Sequence, residues 1–186
     1  MKRFFILIGI LIYFLIGPRT VWAGQIAGSS ASIINKTSYS LTNSTNDFYK
    51  KKKAIYNIFK KYNSPLINDV DSFMLACQKY NLDCYLLPSI AGLESTFGQA
   101  IYPSSNNPFG WGGGYIMFNN WSEGIETVAQ GLRNNYLNKG AETIDDIGRI
   151  YSESPTWAIR VQYFIKEMEN EEEKLQLFLA KNQVEL

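Results

Sequence analysis

Residues 90–98 read IAGLESTFG, a run of apolar and small residues interrupted by one acid, Glu94. Ile90, Ala91, Leu93 and Phe97 have the character of core residues. Extending the stretch upstream to CYLLPSIAGLES (84–95) and winding it as a helix puts Leu87, Ile90, Ala91 and Glu94 at spacings of three and four, on one face. Glu94 therefore prolongs an apolar stripe at the C-terminal end of its helix. One reading is a helix-end acid bonded to a backbone amide of the following loop. The other is chemical. Apolar surroundings and the negative end of the helix dipole both favour the protonated form of a carboxyl group, which is the form a general acid starts from.

The flanking sequence predicts helices almost throughout. Ile55, Phe59 and Tyr62 share a face. Ser64 and Pro65 form an N-cap and first-turn pair for a helix carrying Val70, Phe73, Met74 and Cys77. Asp83 caps the Glu94 helix, with Pro88 near enough to its start to be tolerated. A loop rich in Gly, Pro, Ser and Asn runs from about Gly98 to Asn120. Asn120 and Glu123 form a capping box for a helix through Tyr136. Thr143 with Asp146 starts another that reaches Tyr151, and Pro155 opens the last, running toward residue 180. WGGGYIMF (111–118) is the one candidate for sheet, with room for a short β-hairpin. The expected architecture is mainly α: a helical domain with a small irregular lobe rich in Gly and aromatics, and a groove between the two.

Composition narrows the chemistry. The chain has 186 residues and no histidine. This removes Ser-His and Cys-His nucleophile pairs and His-ligated metals, and two cysteines build no zinc site. No metal or cofactor is expected. A formal charge of +1 gives no electrostatic support to nucleic-acid binding. The N-terminus has the pattern of an export signal: Lys2 and Arg3, the apolar run FFILIGILIYFLIG, then VWA ending at Ala23. An uncleaved anchor is the alternative. Without residues 1–23 the chain keeps 15 basic and 17 acidic residues, a net of −2. Residues 24–46, rich in Ser, Thr, Asn and Gly, read as a flexible linker, leaving 47–182 as the domain. YKKKK (49–53) reads as a solvated helix face, with contact to an anionic surface as the alternative. Cys77 and Cys84 are either a disulfide stapling a helix turn or two buried thiols, and export favours the bridge.

The stretches LLPSIAGLESTFGQAIYPSSNNPFGWG, NNWSEGIETVAQGL and YSESPTWAIRVQYF, in that order, resemble the glucosaminidase and lytic-transglycosylase branch of the lysozyme-like superfamily over roughly residues 64–170. In that branch an acid in an ESxxG-like helix end precedes an NxFG or NxWG turn. A W-x-x-x-I helix start and a Y-a-x-x-P-x-[YW] element then follow. The resemblance implies a lysozyme-like fold and action on N-acetylated β-1,4 glycans, chiefly peptidoglycan; export is expected from the N-terminal pattern, and a monomer is expected. The resemblance also implies Glu94 as the catalytic acid and Tyr151 as a tyrosine approaching the catalytic centre. Asn107 and Phe109 would form one wall of the groove, and Trp111 and Tyr115 would contact sugar. Read from the residues alone, Asn107 is equally a turn cap, Phe109 and Tyr151 fit packing roles, and Trp121 and Trp157 belong to the core.

The chain departs from the family where many members carry a longer lobe with a second carboxylate. Only WGGGYIMF separates the NxFG turn from NNW, and it holds no acid. Glu123 and Glu126 are first-turn helix residues. A single-acid mechanism therefore fits better than a two-carboxylate one. Two other readings stay open: a non-catalytic wall-binding module, and an envelope assembly protein held by residues 1–23.

Overall fold

The computed structural model describes residues 45–184; the expected leader and residues 24–44 of the expected linker lie outside them. Helix α1 covers 45–61. A 3-10 turn, Pro65–Asp69, leads into α2, Val70–Lys79; then come α3, Leu86–Ser95, and α4, Trp121–Asn135. A short 3-10 turn, Leu137–Lys139, precedes α5, Ile144–Tyr151, and α6, Trp157–Val184, closes the fold. The mainly α expectation holds, and no strand occurs among the described residues.

Local chemistry explains most boundaries. The Ser64 hydroxyl accepts from Leu66 N at 3.0 Å and donates to Phe97 O at 2.7 Å, so one side chain caps the entry to α2 and anchors the end of α3. Pro88 is the third residue of α3, where an amide hydrogen has no intrahelical partner. Thr143 and Asp146 make the full capping box of α5. The box expected at α4 is half formed. Asn120 accepts from Glu123 N at 2.9 Å, but Glu123 reaches back to Asn119, bonding its N and Nδ2, both at 2.7 Å.

The core is aromatic and aliphatic. Phe59, Phe73, Phe97, Ile90, Ile125 and Val161 are fully buried. α3 packs against α6, α2 against α4, and α5 against α6. Lys61 Nζ and Tyr62 Oη reach Glu167 at 2.5 and 2.7 Å, tying the end of α1 to α6. Cys77 and Cys84 form a disulfide across the α2–α3 turn.

The hairpin expected at 111–118 is absent, and the reason is backbone conformation. Gly110, Gly112, Gly113 and Gly114 all have positive φ, from 61° to 84°, so the chain winds through successive turns instead of extending. The Asn107 amide holds that shape from inside. Its Nδ2 donates to Trp111 O at 2.9 Å and Ile116 O at 3.2 Å, while its Oδ1 accepts from Trp111 N at 3.1 Å.

Candidate functional site

The end of α3 is built to turn sharply. Thr96, Phe97 and Gly98 all take left-handed φ, at 51°, 56° and 85°, a conformation uncommon for non-glycine residues and worst for a β-branched one. The turn drives Phe97 into the core and leaves Glu94 exposed. Ser95, buried beside it, holds the turn. Its Oγ accepts from Gly98 N at 2.8 Å and lies 2.7 Å from Pro108 O, coupling the helix end to the lobe. Gly92, one turn earlier, lets Phe97 fold back: a Cβ there would sit 2.7 Å from the Phe97 ring.

Among the described residues Glu94 has one direct side-chain partner, which the sequence did not indicate. The Trp157 indole Nε1–H donates to Glu94 Oε1 at 2.7 Å. Trp157 starts α6 and is 2 % exposed, so its assignment to the core was correct but incomplete. A buried indole needs an acceptor for its single N–H, and that requirement was the available signal. The second oxygen, Oε2, faces Gly110: a Cβ there would lie 3.4 Å from it. That is ordinary contact, and it is the positive φ of 63° that calls for glycine at 110. The desolvation expected from the apolar stripe is not met, since Glu94 stands at an open face.

Tyr151 lies beside this pair without bonding Glu94. Its ring stacks on Trp157, with centroids 4.9 Å apart, and also touches Trp111 and Tyr136 at 5.8 and 6.1 Å. Its hydroxyl donates to Phe109 O at 2.6 Å. Burial, with smaller contributions from the Glu94 charge and Tyr136, raises the phenol well above its usual range. Tyr151 therefore keeps its proton near neutral pH and acts as a hydrogen-bond donor that ties the lobe to α5.

The other expected site residues divide. Phe109 is sealed in the core against Phe73, the packing role read from the residue itself, so its ring lines no open groove wall. Asn107 is 3 % exposed with its amide engaged inside the lobe, so it is the lobe's scaffold. Trp111 is half-buried and presses on α4, where a Cβ at Gly131 would lie 2.5 Å from its ring. Tyr115 is 75 % exposed and meets Tyr102 edge to face at 5.8 Å, leaving both rings on the lobe surface.

The two acids that follow the lobe are engaged elsewhere. Glu123 caps Asn119, and Glu126 accepts from Lys79 and Tyr80. Two depressions lie apart from Glu94. One of about 420 Å³ is bounded by Asp145, Arg149, Glu153 and Pro155, and one of about 390 Å³ by α1 and the Pro65–Asp69 turn. No family model matches the chain, and no curated protein matches it in sequence.

Proposed function

We propose that the protein is an exported peptidoglycan-cleaving glycosidase that uses Glu94 as its single general acid on β-1,4-linked N-acetylated strands. The observation that carries this reading is the asymmetry of the Glu94 carboxylate. Oε1 is held by the Trp157 indole, while Oε2 has no hydrogen-bond partner among the described residues and the residue is exposed. A fixed carboxyl with one oxygen open is what proton donation to a glycosidic oxygen requires. A bound strand would also cover Glu94, supplying the desolvation that the free protein lacks.

The steps follow. The proton on Glu94 passes to the bridging oxygen as its bond to C1 breaks, and the leaving sugar departs as an alcohol. The 2-acetamido carbonyl oxygen of the same substrate then bonds to C1, and water displaces it while Glu94 takes the water's proton. Alternatively the C6 hydroxyl adds to C1 and gives its proton to Glu94, forming a 1,6-anhydro sugar. Either route needs one carboxylate, consistent with Glu123 and Glu126 serving as structural acceptors. Tyr115 and Tyr102 offer exposed ring faces for sugars.

The exposure of Glu94 favours one rival, a glycan-binding module without turnover. Glu94→Gln separates the two. The enzyme reading expects muropeptide release to stop while strand binding persists. A wild-type protein that binds strands and releases nothing would leave only the rival.

A further inference from the structure

The lysine run 49–53 has a use that the Glu94 site does not absorb. On α1, Tyr49, Lys52, Lys53 and Tyr56 fall at spacings of three, four and seven, so they share one face. That face forms one wall of the 390 Å³ groove, and Ile67, Asn68, Val70 and Asp71 form the other. Most of the run is internally neutralised: Lys50 pairs with Asp47 at 2.7 Å, Lys51 with Glu172 at 3.1 Å and Lys52 with Asp71 at 2.5 Å. Lys53 is different. Among the described residues no acid lies within ion-pair distance of it, and its ammonium sits 4.7 Å from the Tyr56 ring centre. With Lys52, Lys53 and Asp71 as its ionised groups, the groove carries one net positive charge between two exposed rings, Tyr49 at 60 % and Tyr56 at 37 %.

From this geometry we infer that the α1 groove is a second docking site, separate from Glu94, for a glycan strand bearing free carboxylates. The inference rests on the peptidoglycan reading for its polymer. Seven helical residues place the two tyrosines about 10 Å apart along the axis, close to the length of one β-1,4 disaccharide repeat. Tyr49 can stack on a sugar face, and Tyr56 can do so with the ring face that Lys53 does not cover. Lys53, between them, meets one anionic group per repeat, which is what a strand stripped of its stem peptides presents through its lactyl carboxylates. A lipid surface fits less well: a membrane-facing helix would keep its lysines free, whereas Lys50, Lys51 and Lys52 are paired within the protein.

The test uses the full chain carrying Glu94→Gln, so that turnover does not enter. Calorimetric titration compares peptide-free glycan strands with the same strands after reduction of their carboxyl groups to alcohols. The carboxylate strands should bind about threefold more tightly at low salt, and adding Lys53→Gln should abolish that difference. Tyr56→Ala should weaken both strands about fivefold. Lys53→Gln should leave the melting temperature unchanged, whereas Tyr56, 37 % exposed, should lower it modestly on truncation, so binding is compared at a temperature where circular dichroism shows both variants folded. An undiminished carboxylate preference in Lys53→Gln, or unchanged binding by Tyr56→Ala, overturns the inference. So does phosphatidylglycerol-vesicle binding that Lys53→Gln abolishes while strand binding stays intact. Absence of cleavage by the wild type would refute the glycosidase reading and leave this result standing.

Discussion

Glu94 and Trp157 are 63 positions apart in sequence, yet the indole N–H and carboxylate Oε1 meet at 2.7 Å. Replacing Trp157 with Phe keeps a ring to stack on Tyr151 and removes only the donor. On the proposed mechanism kcat should fall roughly tenfold to a hundredfold with KM nearly unchanged, because the loss is one of positioning and not of uniform binding. Steady-state kinetics on soluble strands would check this; a rise in KM at constant kcat would assign the indole to substrate binding instead. Thr96 gives a test of the strained turn. It is exposed and left-handed at φ 51°, so Thr96→Gly should relieve strain that the extra chain entropy of glycine only partly offsets. A gain of up to about 1 kcal/mol is expected in denaturant unfolding, without a change in activity. A loss of stability would mean that the Thr96 side chain has a role of its own.

At the scale of elements, the end of α1 is joined to α6 through Glu167. Burial alone would raise this carboxyl, but hydrogen bonds from Lys61 and Tyr62 outweigh it and hold it below the usual range. The stability it adds is complete above the unfolded glutamate pKa of about 4.3 and is lost as pH falls through the lower folded value. Glu167→Gln should cost about 1 kcal/mol near neutral pH and make the acid limb of a melting-temperature profile shallower. An acid limb as steep as that of the wild type would refute this linkage.

The caps at Ser64 and Thr143 were legible in the sequence because they are built from neighbours within a few residues. The lobe was not. WGGGYIMF has strand-forming side chains, and its turns are set by the positive φ values of the glycines and by the buried Asn107 amide. The resemblance puts Phe109 on the groove wall, whereas its residue type fits packing, and its ring packs inward against Phe73. Glu94 was legible as an acid on an apolar stripe. Its partner was not, because the stacking of Tyr151 on Trp157 depends on how α5 meets α6.

Across the molecule, the elements converge on one exposed carboxylate. The disulfide ties α2 to α3, Ser95 couples the end of α3 to the lobe, Tyr151 ties the lobe to α5, and the start of α6 supplies the indole. The most direct test is mass spectrometry of purified peptidoglycan after incubation with the wild type and with Glu94→Gln, alongside a strand-binding assay. The account predicts soluble muropeptides from the wild type, with new reducing ends or 1,6-anhydro ends, and none from Glu94→Gln, which still binds strands. Equal release by both proteins, or none from a wild type that binds strands, would contradict it.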